Sequence, residues 1–487
     1  MLRCRSTAQR MSALLLPCLM LVTLVGVAGL CPSRTYAQIP NTGGWAPAGQ
    51  LTAARSGAEA ATLKDGRVLI TGGISAGVPT ASAEIYNGNA FTVVPSMSVA
   101  RSQHSIATLG DGRVIVAGGY TATNVPTNAV EIFDPVTSTW SGVPGGLVQA
   151  RAGHTMTALQ DGRLLIAGGM GESGPLASLE IFDPKTNSST PFAAVLSSPR
   201  MDHAAALLPN GSVMLAGGFD GSKVLASVDA FNPSSDNMAS PLNMASPRRY
   251  LTATSFVDGR VLLAGGNDGT NDVAILEIAD LATAKISVVG SLGVPRSHHS
   301  SIRLPDNGSV LIVGGISSGT PVATAELFSP VNGSIHSAGS MSVAREDAAI
   351  AWLGTPGKNY VLVAGGESPE TSSSGDLYSF PILRTDKPDY APNTPVTVTG
   401  AGWGPGESVA LVFHENPSGD PDVTLTATAD RTGSFQSTAF KPDLHDENIN
   451  FLLTATGSQS GSIAQAVFSD STYLQNSLRS QLHRPAQ

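Results

Sequence analysis

The stretch DGRVIVAGG, at residues 111–119, contains the pattern from which most of this chain is built. Its Asp-Gly pair supplies the positive φ angles that a two-residue hairpin turn requires. The unbroken apolar run that follows is too short for a typical helix and is typical of a strand covered on both faces. The glycine pair ends this strand at a point where neighbouring backbones pass closely. The stretch therefore predicts a tight turn followed by a buried strand.

This pattern recurs along the chain with a nearly constant spacing. Glycine pairs stand at Gly72-Gly73, Gly118-Gly119, Gly168-Gly169, Gly217-Gly218, Gly265-Gly266, Gly314-Gly315 and Gly365-Gly366. An arginine precedes each pair at a similar distance: Arg55, Arg101, Arg151, Arg200, Arg248, Arg296 and Arg345. An acidic residue follows each pair, also at a similar distance: Glu84, Glu131, Glu180, Asp229, Glu277, Glu326 and Asp376. A fixed period of this kind is the signature of a repeat architecture.

Each copy contains four candidate strands. An alternating segment precedes the turn, the buried strand follows it, a third strand carries the acidic residue, and a fourth begins at a bulky residue such as Trp140. A fourth-strand pattern also precedes the first copy, at Trp45, whereas the seventh copy stops at Phe380 without one. We therefore expect the strand at Trp45 to complete the last sheet and to close a ring without open edges.

The double glycine, the acid-containing strand and the following aromatic residue resemble the kelch motif, in which one repeat is one blade of a propeller. The resemblance implies an all-β fold, a seven-bladed β-propeller of four-stranded blades over residues 44–382. The sequence departs from the motif in the fourth strands, because tryptophan occurs there only at Trp45 and Trp140.

The composition changes after about Leu383. Six short alternating segments follow at a spacing that predicts a small β-sandwich over residues 383–470. The stretch VTVTGAGWGPGESV and the ending AVFSD resemble bacterial surface immunoglobulin-like domains, which implies a spacer or stalk. Residues 471–487 are predicted to form a flexible tail.

The N-terminus has the pattern of a secretory signal. Arg3, Arg5 and Arg10 precede an apolar run that ends at Leu30, and small residues stand at a cleavage point after Ala37. We interpret residues 1–37 as a signal peptide, and the alternative is an uncleaved membrane anchor. The protein is thus expected to be secreted, periplasmic or on the cell surface, with no transmembrane segment after cleavage.

Charge and cysteine content restrict the possible chemistry. The formal net charge is −9 and only 13% of the residues are charged, so no basic patch for nucleic acid is expected. Cys4, Cys18 and Cys31 all precede the predicted cleavage point, which leaves no disulfide and no thiolate ligand. The sequence contains no catalytic motif. We therefore expect a monomer that is not an enzyme and holds no cofactor and no metal.

Two sets of repeated polar residues have alternative interpretations. His104, His154, His203 and His299 each stand three residues after a blade arginine. They form either a ligand site around the channel or a repeated packing position. We favour packing, because ligands of one metal ion lie within about 2 Å of it and equivalent positions on different blades are usually too far apart for that. The arginines and acids form either a binding ring or an ion pair inside each blade. Their one-to-one occurrence favours the pairs.

The variable loops after the glycine pairs are predicted to share a face with the segments that enter each arginine, and loops on a rigid scaffold often bind ligands. The candidate ligand-binding residues there are Tyr120, Asn124, Glu172, Asp220, Lys223, Asn267, Asp268 and Glu367. Their polar, lightly aromatic composition suits a protein or glycan ligand.

The leading functional hypothesis is an exported non-catalytic binding or scaffold protein. The alternative is a secreted galactose-oxidase-like or carbohydrate-active enzyme, and a third possibility is a purely structural surface protein. The galactose oxidase family implies a copper site built from two tyrosines, two histidines and a cysteine crosslinked to one tyrosine. The mature chain lacks that cysteine. The remaining candidates are Tyr120, Tyr250 and Tyr360 with His203, His299 or His414, and no spacing supports such a site.

Overall fold

The computed structural model describes residues 44–121, 125–235, 237–330, 332–354, 359–416, 420–443 and 449–470. All of them belong to the second of two compact units, Ile39–Gln487. The predicted signal peptide and C-terminal tail lie outside the described residues. Within these ranges every regular element is a β-strand, and no helix long and apolar enough to cross a membrane occurs. The all-β prediction is confirmed.

Seven antiparallel sheets, called blades 1 to 7 here, follow the sequence repeat. Blade 1 contains Glu59–Thr62, Val68–Thr71, Ala83–Tyr86 and Phe91–Val94. Blade 2 contains Ser105–Thr108, Val114–Ala117, Val130–Asp134 and Thr139–Gly142. Blade 3 contains Thr155–Ala158, Leu164–Ala167, Ser178–Asp183 and Ser188–Val195. Blade 4 contains Ala204–Leu207, Val213–Ala216, Ser227–Asn232 and an interrupted outer strand, Asn237–Met238 with Leu242–Asn243. Blade 5 contains Thr252–Ser255, Val261–Ala264, Ile275–Asp280 and Lys285–Ser291. Blade 6 contains Ser300–Arg303, Val310–Val313, Thr324–Phe328 and Ile335–Ser340. Blade 7 contains Ala349–Leu353, Tyr360–Ala364, Ser374–Ser379 and Gly44–Gln50.

The blades close into a ring. The first strand of each blade contacts the first strand of the next, and that of blade 7 contacts that of blade 1. Gly44–Gln50 pairs antiparallel with Ser374–Ser379, with Trp45 opposite Tyr378. The two aromatic rings pack with their centroids 5.1 Å apart. The N-terminal strand therefore completes blade 7, as the fourth-strand pattern predicts.

Apolar layers between successive blades form the core. The second strand of each blade is the most buried, and Val114, Ile115, Val116 and Ala117 have no exposed surface. The glycine pair at the end of these strands permits close approach of the next blade. A Cβ on Gly72, whose φ is +59°, would lie 2.5 Å from the carbonyl oxygen of Arg101. The glycine pairs are thus required by the contact between blades.

A buried ion pair inside each blade connects that blade to the chain that enters it. In blade 2, Arg101 donates to the Glu131 carboxylate at 2.7 Å and to the carbonyl oxygens of Gly118 and Ala129 at 2.8 and 2.9 Å. The Glu131 carboxylate also accepts from the Ser98 amide, just after the crossing from blade 1. The equivalent pairs are Arg55–Glu84, Arg151–Glu180, Arg200–Asp229, Arg248–Glu277, Arg296–Glu326 and Arg345–Asp376. The arginines and acids therefore pair within blades and do not form an exposed binding ring.

Two further sheets follow the ring. One has the spatial order Ile382–Thr385, Val398–Ala401, Phe435–Ser437. The other has the order Asp389–Tyr390, Ile463–Asp470, Asn450–Gly457, Ser408–Asn416, Val423–Thr428. Leu383, Val398, Leu411 and Phe451 share one apolar cluster, so the two sheets enclose a common core. The immunoglobulin-like assignment of this part stays a prediction.

The ring and the C-terminal sheets are joined through a buried asparagine. Asn307, in the hairpin turn of blade 6, is 1% exposed, and its amide nitrogen donates to the carbonyl oxygens of Pro381 and Ile463, each at 2.8 Å. The backbone amide of Gln465 donates to the backbone carbonyl oxygen of Asn307 at 2.9 Å. Arg384 forms an exposed ion pair with Asp306 at 2.6 Å. These bonds hold the C-terminal sheets directly against blade 6.

Four short hairpins extend from the ring after glycine pairs. They are Ile74–Ser75 with Val78–Pro79, Met170–Gly171 with Gly174–Pro175, Ile316–Ser317 with Thr320–Pro321, and Glu367–Ser368 with Glu370–Thr371.

Candidate functional site at the channel mouth

The residue two positions after each blade arginine has a positive φ, between +48° and +59°. These rim residues are Gly57, Gln103, Gly153, Asp202, Tyr250, His298 and Asp347. Such a conformation is uncommon for residues other than glycine and disfavoured for bulky ones, so its repetition indicates a conformation imposed by the ring.

Backbone hydrogen bonds connect the rim residues of neighbouring blades. The Tyr250 amide donates to the Asp202 carbonyl oxygen at 3.0 Å, and the Asp347 amide donates to the His298 carbonyl oxygen at 3.2 Å. The Gly57 amide donates to the Asp347 carbonyl oxygen at 2.9 Å, which links blade 1 to blade 7. The rim is therefore a rigid frame that fixes where its side chains begin.

The charged and aromatic rim residues lie together on one side of this frame. Blades 1 and 3 contribute glycines and blade 2 contributes Gln103. Blades 4 to 7 contribute Asp202, Tyr250, His298 and Asp347, here called the crescent. The ring is thus built from similar copies, but its mouth is chemically one-sided.

Side-chain contacts connect the crescent into a continuous chain. Burial and the Asp202 carboxylate beside it raise the pKa of Tyr250, and the Tyr250 ring stacks on the His298 ring with centroids 3.8 Å apart. His298 Nδ1 lies 2.9 Å from an Asp347 carboxylate oxygen. The Arg249 guanidinium lies 5.0 Å from the Tyr250 ring centroid and 5.4 Å from that of Phe219. Each side chain therefore restricts the rotamer of its neighbour.

The crescent has an excess of negative charge. Burial alone would lower the pKa of His298, but the hydrogen bond and charge of Asp347, with the charges of Glu346 and Asp202, raise it overall. Burial raises the pKa of Asp202, against the opposing effects of Tyr250 and Arg249. Burial and the neighbouring Asp347 carboxylate also raise the pKa of Glu346. Groups with pKa values perturbed in this way are enriched at functional sites.

The crescent borders a cavity of about 460 Å³ at the mouth of the central channel. Gln103 lines the cavity from the side opposite the crescent. Glu59, the first residue of the first strand of blade 1, also lines the cavity. Burial and the charge of Asp347 raise the pKa of Glu59 to about 8. The cavity falls within the size range of small-molecule sites.

The loops predicted to bind a ligand lie beside this mouth. In every blade, the residue after the arginine forms a β-bridge with the first residue after the glycine pair, for example Ser102 with Tyr120 and Glu346 with Glu367. Burial and the charge of Asp202 raise the pKa of Tyr120, so this candidate lies close to the crescent. Asn267 bridges Arg249, and its amide nitrogen donates to Asp272 at 2.9 Å.

The other predicted ligand-binding residues lie in loop turns. Asp220 accepts from the amides of Ser222 and Lys223, and Asp268 accepts from those of Thr270 and Asn271. These two carboxylates hold their own turns. Glu172 and Lys223 are exposed, and Asn124 lies outside the described residues.

The four repeated histidines pack between blades. A Cβ on Gly118 would lie 2.6 Å from the His154 ring, so the first glycine of one pair makes room for the imidazole of the next blade. His104, His203 and His299 are hydrogen-bonded through Nε2 to Thr71, Thr155 and Thr252 of the preceding blade. The packing interpretation therefore fits the structure, and these bonds connect each of these three histidines to the neighbouring blade.

The crescent as a group was not predicted from the sequence, which named only Tyr250 among its members, as a candidate copper ligand. The conspicuous repeated residue there is the histidine three positions after the arginine, whereas the crescent position lies one residue earlier. The available signal was that this position is glycine in two copies and charged or aromatic in four. Glycine in a repeat indicates a conformation with positive φ, and a large polar residue at the same place indicates a special role.

Comparison with known proteins supports the fold. A family model described as the KLHDC2/KLHL20/DRC7 Kelch-repeats domain matches residues 87–266, which is less than half of the chain. A search of curated proteins gives no significant match. The solved structure of a fungal alcohol oxidase of the AA5 family, in complex with copper, is similar to 88% of this chain and 100% of its own, with a TM-score of 0.57 and 15% identity. A structure described as YjhT is similar over 59% of this chain and 98% of its own, with a TM-score of 0.48 and 16% identity. The repeat and the fold define a kelch-type β-propeller.

The residues present do not fit the copper cofactor that galactose oxidase implies. All three cysteines precede the predicted cleavage point. His414 lies in the C-terminal five-stranded sheet, 2.7 Å from Asp422, and Tyr360 begins the second strand of blade 7. His203 and His299 are buried against glycines between blades. Tyr250, His203 and His299 line the same cavity, but Nε2 of each of these histidines is hydrogen-bonded to a threonine. Tyr120, Tyr360 and His414 do not line that cavity, so the named tyrosines and histidines do not form one ligand set.

Proposed function

We propose that this chain is an exported, non-catalytic binding protein that captures a glycan at the mouth of its propeller channel. The mouth lies on the same face as the variable loops, so a longer ligand that enters the cavity also contacts those loops. Export rests on the signal-like N-terminus alone.

The one-sided crescent is the observation that carries this proposal. A purely structural ring has no need for Asp202, Tyr250, His298 and Asp347 at strained rim positions, because the other blades close with glycine or glutamine there. Carboxylates, a tyrosine hydroxyl and an imidazole can bond the paired hydroxyl groups of a sugar. The interlocked side chains are preorganised, which lowers the entropic penalty of binding.

A glycan and peptide array probed with the purified protein tests this function. We expect glycan binding that Tyr250→Ala and Asp202→Asn each weaken at least about tenfold, the effect of roughly 1.4 kcal/mol. Arg113→Ala is the matched control, because Arg113 forms an exposed ion pair with Asp111 in a hairpin turn on the opposite face. Array binding that the crescent variants leave unchanged would place the site elsewhere, and a silent array would favour a structural protein.

A carbohydrate-active enzyme is the second candidate, and the His298–Asp347 pair favours it. An imidazole held by a carboxylate through Nδ1 is a common arrangement for proton transfer. Incubation of the bound glycan with wild-type protein and with His298→Gln separates the two functions. Turnover by the wild-type protein that the variant loses would establish an enzyme, whereas release of intact glycan supports the binding protein.

A further inference from the structure

Three potential metal ligands meet where blade 6 adjoins blade 7. His298 comes from blade 6, and Glu346 and Asp347 are consecutive residues at the entry to blade 7. One ligand atom of each lies within 4.8 Å of the other two. Among the described residues it is the one group of at least three histidines, cysteines or acids that has such geometry. It was not anticipated from the sequence, which led us to expect no metal.

The spacing suits direct coordination of one ion. His298 Nδ1 and the nearer Asp347 oxygen are 2.9 Å apart. Two ligands of one ion, each about 2.1 Å from it, lie about 3 Å apart at the right angle of an octahedral site and about 3.4 Å apart at the tetrahedral angle that Zn²⁺ prefers. This pair therefore needs little movement, whereas the Glu346 carboxylate, within 4.8 Å of both, has to move closer to join them.

The scaffold holds these ligands in place. His298 and Asp347 both occupy rim positions with positive φ, and their backbones are hydrogen-bonded to each other. The His298 ring is stacked on Tyr250, which limits its rotation. A site built on rigid backbone with restricted side chains retains its geometry before the ion arrives.

The surrounding charge favours a cation. Asp272 and Glu367 act on Glu346 as like charges, and Asp202 acts on His298 from the far side of Tyr250 in the crescent. Arg249 is a cation next to the rim residue Tyr250, but its guanidinium packs against the Phe219 and Tyr250 rings. An ion bound by one imidazole and two carboxylates would neutralise this excess negative charge.

We propose that His298, Glu346 and Asp347 bind one divalent transition-metal ion, such as Zn²⁺ or Mn²⁺, at the channel mouth. An imidazole ligand favours these ions over Ca²⁺ and Mg²⁺, which prefer all-oxygen sites. Three protein ligands leave coordination positions open toward the cavity. Hydroxyl oxygens of a ligand in the cavity can occupy those positions, so the ion would contribute to capture. The metal site itself does not depend on the proposed function.

Titration of the tag-free chain that begins at Gln38 tests this site, because a polyhistidine tag and the thiols of Cys4, Cys18 and Cys31 would themselves bind metal. After chelator treatment, calorimetric titration with Zn²⁺ is expected to show one ion per chain, and Mn²⁺ titration followed by electron paramagnetic resonance is expected to give the same stoichiometry. His298→Ala and Asp347→Asn should each weaken binding at least about tenfold, a loss typical of a removed or disturbed ligand. Glu346→Gln should weaken it in the same direction.

His414→Ala is the matched control. His414 and Asp422 form a similar exposed pair, 2.7 Å apart, but within the part of the chain that the structure describes no third histidine or acid joins them as Glu346 joins His298 and Asp347. This variant should bind the ion as the wild-type protein does. Circular dichroism of each variant without metal checks that the ring is folded.

Several outcomes would overturn the proposal. These are the absence of a stoichiometric ion in folded wild-type protein, equal binding by His298→Ala and Asp347→Asn, and loss of binding in His414→Ala. A preference for Ca²⁺ over Zn²⁺ would overturn the assigned class of metal. Glycan binding that persists with chelator, together with normal Zn²⁺ titration, would leave the metal site intact and remove its part in capture.

Discussion

Replacement of Arg101 by methionine is expected to destabilise blade 2 strongly. The Arg101 side chain has no exposed surface, and it donates to Glu131 at 2.7 Å and to the carbonyl oxygens of Gly118 and Ala129. Methionine retains most of the volume but donates no hydrogen bond. The Glu131 carboxylate would then stay buried without its cationic partner.

The expected loss of unfolding free energy is about 3 kcal/mol, because removal of one partner from a buried ion pair costs about 3–5 kcal/mol. The lower end applies because Glu131 still accepts from the amides of Ser98 and Val99 and from the Ser98 hydroxyl. Arg101→Met combined with Glu131→Gln should lose less than Arg101→Met alone, since the double variant buries no unpaired charge.

Denaturant unfolding, followed by tryptophan fluorescence, measures this effect. Trp140, one of four tryptophans in the chain, lies in the outer strand of the same blade, with its ring centroid 5.0 Å from that of Phe133, so part of the signal comes from blade 2. Arg113→Ala removes an exposed ion pair and should change the unfolding free energy by less than about 1 kcal/mol. A loss below about 1 kcal/mol for Arg101→Met, or a double variant less stable than the single one, would refute this account of the blade pairs.

Three shorter predictions concern other parts of the molecule. Burial, with the charges of Arg151 and Arg101, lowers the pKa of His154 from 6.5 to about 3 in the folded state, so the unfolded chain binds this proton first as the pH falls. Stability should therefore decrease as the pH falls from 6.5 toward 3, by up to about 1.4 kcal/mol per pH unit for this group, and His154→Leu, which copies Leu251 of blade 5, should reduce the slope measured by denaturant unfolding at several pH values. Asn307→Ala leaves two carbonyl oxygens without their donor, which should cost about 1–3 kcal/mol and speed hydrogen exchange in the C-terminal sheets, whereas unchanged exchange would contradict the role of this residue. Gly118→Ala places a Cβ 2.5 Å from the Arg151 carbonyl oxygen and should lower the melting temperature far more than Gly142→Ala, where nothing lies within 4 Å.

The propeller could be predicted from the sequence because the residues that define each strand lie close together within each copy. Turn glycines, the continuous apolar run and the double glycine depend on neighbours close by in the chain. Closure of the ring was also predictable, since Trp45 carries a fourth-strand pattern with no copy of its own. The contact through Asn307 was not, because its partners Pro381 and Ile463 are far away in sequence and an Asn-Gly pair reads simply as a turn.

The candidate site was harder to predict for a geometric reason. Neighbouring members of the crescent, such as Tyr250 and His298, are separated by one full repeat. Equivalent positions of different copies become neighbours only near the axis of the ring, where the blades converge. Positions further from the axis, such as the tips that hold Glu172 and Lys223, offer many exposed polar residues that look equally suitable from the sequence alone.

The strand at Trp45 has a consequence for how the protein is made. Its hydrogen-bond partners in Ser374–Ser379 belong to the last repeat, and the Ser379 hydroxyl donates to the Gly44 carbonyl oxygen across 335 positions of the chain. During synthesis this strand is made before the other strands of the ring, but it is the last of them to pair. Contacts of such long sequence separation form slowly. Until the seventh repeat is complete, the nascent protein exposes two unpaired strand edges, and any truncated product retains them.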